Sequence, residues 1–137
     1  MSESNGHVTG VDFVTIPTRD FDAATNFYGE VLDLPFLKRW GEMPGAEYQA
    51  GNLTVAVMQP DAFGQEFKPS SSAIALQVDD VAATRERLES QGVTFQGDTM
   101  DSGVCHMAFF TDGDGNPLIL HHRYAPKDAR PTNTEVP

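Results

Sequence analysis

Cysteine, basic side chains and long apolar runs are all scarce in this sequence, and each scarcity removes a class of protein. A single cysteine, Cys105, stands among 137 residues, so neither a disulfide framework nor a paired-cysteine zinc site can be assembled within the chain. A reducing compartment fits that usage. No stretch approaches the roughly 20 apolar residues needed to span a bilayer, and the polar segment Met1 to Gly10 carries neither a basic start nor an apolar stretch. A soluble, unsecreted, cytoplasmic protein is expected, with no membrane partner. Only 9 Lys and Arg stand against 20 Asp and Glu, for a formal net charge of -11. That charge repels phosphate backbones, so nucleic acid is not an expected partner. It reads first as a solubility device, with attraction of a cationic ligand as the functional alternative. A Gly-x-Ser-x-Gly elbow, a phosphate loop and a dinucleotide-binding glycine motif are missing as well, which leaves hydrolase, kinase and Rossmann readings without local support.

What is present is an internal repeat. At an offset of 60 residues, Val14, Ile16, Asp20, Phe21 and Ala23 correspond to Ile74, Leu76, Asp80, Val81 and Ala83. Each copy alternates apolar residues with period 2 and then changes to helical spacing at its aspartate. In the first copy the helical face is Ala24, Phe27, Tyr28, Val31 and Leu32, ended by Pro35. In the second it runs through Val81 and Leu88 to Gly92. Asp20 and Asp80 are predicted N-caps, because a carboxylate accepts from the free N–H groups of a first turn and suits the positive end of the helix dipole. Three short strands fit after each helix, separated by glycine-rich breaks at 41–45, 51–52, 97–103 and 112–116. The expected organisation is one domain: a first module at about 8–60, a connector at 61–72, a second module at about 73–124 and a mobile tail at 125–137. Neither connector nor tail is expected to hold the chemistry.

Three segments carry a family likeness. The stretch Val11 to Asp20 followed by Phe27 to Leu34, the stretch Ile74 to Val81, and the run Phe110-Thr111-Asp112-Gly113-Asp114-Gly115-Asn116-Pro117 together resemble the vicinal oxygen chelate superfamily. That superfamily comprises glyoxalases, bleomycin-resistance proteins and extradiol dioxygenases. The chain departs from its pattern at Asp33, where the family often has Gly, and at Gly113, where it often has Pro. The resemblance implies an α+β fold of two βαβββ modules, forming a cupped eight-stranded mixed sheet with helices outside and a ligand cleft inside. It also implies a homodimer. By strand alternation Phe13, Thr15, Ala73, Ala75 and Gln77 would face that cleft.

Metal-using members of the superfamily hold their ion with His or carboxylate ligands on the cleft-facing positions of the first, fourth, fifth and eighth strands. Those positions here are Phe13, Ala56, Ala73 and Ile119, and none can donate to a cation. No metal or other cofactor is therefore expected. Other donors that would rebuild a site are Glu47, His106 and His121. His122 should lie on the opposite face from His121, with Leu118 and Leu120, while the face of His106 stays open. His121 reads either as a polar residue at the sheet edge or as a ligand contact, and its side-chain type permits acid or base chemistry near neutrality.

Trp40, Tyr48, Phe13 and Met58 make an apolar, partly aromatic cleft wall or, alternatively, ordinary core; Arg39 and Glu47 flank that region. The run Asp112 to Asn116 superficially resembles a calcium loop but has Pro117 in place of the required Gly and Arg123 in place of the bidentate Glu. It is a tight turn. Cys105 and His106 point to opposite faces and make a poor nucleophile and base. Two functional readings follow. One is a metal-independent protein that binds a small hydrophobic or aromatic molecule for sequestration or resistance. The other is a lyase, isomerase or dioxygenase, with a relocated metal or with His121 as a metal-free acid or base. The ligand contacts expected are Phe13, Thr15, Trp40, Tyr48, Ala56, Met58, Ala73, Gln77, Ile119 and His121.

Overall fold

The computed structural model describes residues 7–127. In chain order its strands and helices are β1 (Val14–Pro17), α1 (Phe21–Asn26), β2 (Phe36–Arg39), β3 (Gly45–Ala50), β4 (Leu53–Met58), β5 (Ile74–Gln77), α2 (Val81–Ser90), β6 (Phe95–Asp101), β7 (Cys105–Thr111) and β8 (Pro117–Arg123). The βαβββ unit occurs twice, with the period change where the repeat places it. Asp20 and Asp80 both have extended backbone, and their carboxylates accept from Ala23 N at 3.2 Å and Ala83 N at 3.0 Å. Each therefore satisfies a first-turn donor that has no partner within its own helix. Asp80→Ala is expected to cost about 1 kcal/mol, read as a lower urea midpoint with an unchanged slope.

Past Asn26 the first helix widens into a π-helical turn, Phe27–Val31, in which Leu32 N donates to Phe27 O at 2.8 Å. The chain then reverses through Asp33, at φ 59. This left-handed conformation explains the family's frequent glycine at that position. Aspartate tolerates it better than most side chains because it is short and polar.

The strands form two sheets, ordered β1-β4-β3-β2 and β5-β8-β7-β6. In each, the first strand runs parallel to the fourth and the remaining pairs are antiparallel. The two βαβββ modules and the mixed strand directions are as the resemblance implied, the eight strands being divided into two sheets of four. The edge strands β1 and β5 are only 4 residues long, and Pro17 has no N–H to offer a neighbour. Its carbonyl instead accepts from the Asn116 side chain, at 2.8 Å.

The modules are joined by their core and by a polar clasp. Register places Val14 beside Val55, Ile16 beside Val57, Ile74 beside Leu118 and Leu76 beside Leu120, so these residues share the helix-covered faces. Ile16, Tyr28, Val55 and Val57 of the first module pack in one buried cluster with Val81, Leu88, Leu118 and Leu120 of the second. At the clasp the hydroxyl of Tyr28 donates to Asp112 Oδ2 at 2.6 Å across the module boundary. Asn116 Oδ1 accepts from Ser70 N at 2.7 Å. Residues 112–116 are indeed a turn, closed by Gly115 N donating to Asp112 O at 3.2 Å. They are also the joint between modules. Of the segment expected to be a mobile tail, Ala125 N donates to Val104 O at 3.2 Å, while 128–137 lie outside the described residues.

Candidate functional site

Helices cover one face of each sheet, and the side chains that point the other way mark the candidate site. On the first sheet, Thr15 lies beside Ala56, Ala56 beside Glu47 and Glu47 beside Lys38; the next row is Pro17, Met58 and Gly45. The loop between β2 and β3 closes with Trp40 N donating to Gly45 O at 2.8 Å. This sets the indole directly over Gly45, where an added Cβ would fall 2.2 Å from Trp40 Cε3. Only glycine leaves that space. The indole is then oriented by its N–H, which donates to Glu47 Oε2 at 2.7 Å.

Two further rings flank Trp40 edge to face. The Phe13 centroid lies 6.1 Å away at 60°, and that of Phe63 lies 6.0 Å away at 83°. Such arrangements align positive ring edges with negative ring faces. Phe13 is 43% exposed and Phe63 38%, so the cluster presents aromatic surface to solvent. Beside it opens a cavity of about 480 Å³ whose lining includes Thr15, Met58, Phe63, Gln65, Glu66 and Lys68.

Of the expected ligand contacts, the structure therefore brings Phe13, Thr15, Trp40 and Met58 together. It adds Phe63, which lies in a 3₁₀ turn, Pro60–Phe63, at the start of the connector. No site residue was expected in the connector. Phe63, one of two aromatic residues in the connector with Phe67 and three positions after Pro60, was the available signal.

Two other expectations for this sheet are corrected. Tyr48 pairs in register with Val55, so it faces the helix. It is 4% exposed, its hydroxyl donates to Thr25 O at 3.4 Å, and burial, followed by the nearby Glu30, raises its phenol above the ordinary pKa. Ala56 lies on the open face but is 0% exposed, so it is a floor beneath other side chains rather than a contact. Arg39 also leaves the site, since its guanidinium lies over the Phe21 ring at 4.6 Å.

The remaining expected contacts sit on the second sheet. Gln77 lies beside His121, His121 beside Met107, and Ile119 beside both Ala75 and Phe109; Ala73 immediately precedes β5. None of these residues lines the cavity beside Trp40. Gln77 instead lines a separate groove between the modules, together with Leu32, Leu34, Leu76 and Arg87. Among the described residues the His121 imidazole forms no ion pair with a carboxylate.

The donors that would rebuild a metal site are dispersed. His106 pairs in register with His122 and so lies on the face opposite His121. Its Nε2 is 3.4 Å from Asp101 Oδ2. The Tyr124 hydroxyl and then Gly103 N, both donating to Asp101, hold that carboxyl below the usual range. Glu47 is on the other sheet and bonded to the Trp40 indole. No group of three or more His, Cys, Asp or Glu suited to an ion occurs among the described residues. The side chains at the implied ligand positions, a phenyl ring, two methyls and a sec-butyl group, do not fit a metal.

Two βαβββ units, each with a helix-covered sheet face and an open one, define a two-module α+β protein. The profile of the Glyoxalase/Bleomycin resistance protein/Dioxygenase superfamily matches residues 10–120, and the chain belongs to that superfamily. No curated protein matches it. Among solved structures, it is similar to a superfamily member from Sphaerobacter thermophilus (TM-score 0.73, 23% identity, covering 85% of this chain and 98% of that one). It is also similar to TnmS3, an antibiotic binding protein from a Streptomyces species (0.70, 24%, 85% and 97%). A third likeness is to lactoylglutathione lyase from Agrobacterium tumefaciens (0.69, 15%, 84% and 94%). At these identities the likeness is one of fold, and function must be argued from the site.

Proposed function

We propose that the protein binds a small, flat, hydrophobic or aromatic molecule on the open face of its first sheet, without a metal, in a sequestration or resistance-type role. The observation that carries this reading is the Phe13, Trp40 and Phe63 cluster. Three partly exposed rings beside an open cavity provide the stacking and burial by which such ligands are held. Phe13 supplies one of those rings from a position where metal-using relatives place a ligand. The likeness to TnmS3, an antibiotic binding protein, supports the same class of role. No helix among the described residues is long and apolar enough to cross a membrane. A cytoplasmic location accords with that and with an unpaired, buried Cys105.

A homodimer is part of the proposal. Phe36 is 60% exposed and Leu37 47% on the edge strand β2, and Met100 is 47% exposed on the edge strand β6. A second copy covering these edges would remove apolar surface from water.

Trp40 is the only tryptophan, so its emission reports on this site alone. Titration with planar aromatic compounds, antibiotics included, should quench or shift that emission saturably; a panel that leaves it unchanged overturns the proposal. His121→Ala should leave the isotherm unaltered, because His121 belongs to the other sheet. A variant that binds normally yet abolishes turnover of a bound compound would establish the enzymatic reading instead.

A further inference from the structure

We infer that the ligand of this face is an organic cation, a quaternary or tertiary ammonium carried on an aromatic or apolar body. The inference rests on the binding role proposed above and adds a charge to its ligand. Its first support is the carboxylate built into the ring cluster. Glu47 Oε2 accepts the indole N–H of Trp40 at 2.7 Å, and that donor is neutral. The ion pairs among the described residues join Arg19 to Asp114, Arg85 to Glu89 and His106 to Asp101, so none of these residues forms an ion pair with Glu47. Orienting the indole needs only a neutral acceptor, which glutamine would supply. For a neutral ligand, covering a carboxylate adds a desolvation cost with no return. For a cationic ligand the same carboxylate is the counter-charge.

The rings point the same way. Aromatic faces carry negative electrostatic potential, and sets of rings around an ammonium group are a recurrent means of holding it. Phe13 and Phe63 keep 43% and 38% of their surface exposed, and Trp40 lies between them. The formal net charge of -11 adds a field that draws cations toward the protein. Opposing charges nearby are few. Lys38 lies beside Glu47 in register without forming an ion pair, and Glu66 and Lys68 of the adjoining cavity offset one another. An anionic ligand would meet Glu47 unfavourably.

The test compares two probes of nearly equal shape, 4-(trimethylammonio)phenol and neutral 4-tert-butylphenol, by Trp40 emission. The cation is expected to bind about tenfold more tightly, about threefold of it from contact with the partly exposed rings and the rest from the counter-charge of Glu47. Its advantage should shrink as salt is raised. Glu47→Gln keeps an acceptor for the indole and should bring the two affinities to within about threefold of each other. Equal affinities in the unaltered protein overturn the inference and leave the aromatic-binding proposal standing; no response to either probe overturns both. A preference of about tenfold that survives undiminished in Glu47→Gln, with the circular dichroism unchanged, also contradicts it. Should that variant not fold, the salt dependence of the native protein's preference decides.

Discussion

Asp112→Ala is expected to lower stability by about 3–5 kcal/mol, the range for removing one partner from a buried, charge-assisted network. Asp112 is 7% exposed and accepts four hydrogen bonds. Oδ1 takes the N–H groups of Asp114 and Asn116, each at 2.9 Å; Oδ2 takes the Tyr28 hydroxyl at 2.6 Å and the Asn116 amide at 2.8 Å. Alanine leaves all four donors without that acceptor, and Tyr28 is 1% exposed, so water cannot replace it cheaply. It also frees Asn116, whose side chain reaches both Pro17 and Ser70.

Tyr28→Phe deletes one donor and leaves Asp112 three, so its cost should be nearer 1–2 kcal/mol, that is, about one hydrogen bond. The double variant should cost less than the sum of the two, because both act on the same bond. Urea denaturation of the three variants and the unaltered protein measures this directly. The same pair sets a pH signature. Burial, and then Asp112, raise the Tyr28 phenol well above its ordinary value of 10.0. The folded protein thus holds a proton that the unfolded chain releases above pH 10. The stability this contributes is complete below that pH and declines as pH rises beyond it. In Tyr28→Phe that component of the alkaline decline should be absent.

Trp40→Ala is expected to weaken ligand binding by at least about 30-fold, the loss typical of a central aromatic anchor. The indole is the middle ring of three and the only one contacting both others, so its removal separates Phe13 from Phe63 as well as deleting a stacking surface. A second route reaches the same end without removing the ring. Gly45→Ala places a methyl where the indole lies, at 2.2 Å from Cε3, and must displace it. Calorimetric titration should show weaker binding in both variants. In Gly45→Ala, Trp40 emission should move to longer wavelength as the ring enters water. Unchanged affinity in Gly45→Ala with a shifted emission would show that the ring's seat does not matter.

The repeat was legible because it is written in local chemistry. An alternating strand, an aspartate cap and a change of period fix β1 with α1 and β5 with α2 regardless of distant contacts. Strand parity, the rule that put Phe13 and Thr15 on the open face, placed His122 away from His121 equally well. Tyr48 was ambiguous for a physical reason: a tyrosine suits a wet cleft and a helix-covered core alike, and only the register of β3 against β4 separates them. Two features depended on contacts far apart in sequence. The Tyr28 to Asp112 bond links residues 84 apart, with no local pattern to announce it. Phe63 reaches Trp40 only because the turn after β4 folds back, so an aromatic that looked incidental in a connector became part of the candidate site. Ala56 shows the converse limit, since alternation gives the face of a residue but not what lies above it.

The central claim, that an aromatic ligand is held by the ring cluster of the first sheet with no ion involved, is tested most directly by binding isotherms before and after exhaustive chelation. The expected result is the same affinity and the same Trp40 quenching in both. Binding that disappears with the chelator and returns on adding one equivalent of a divalent cation would contradict it.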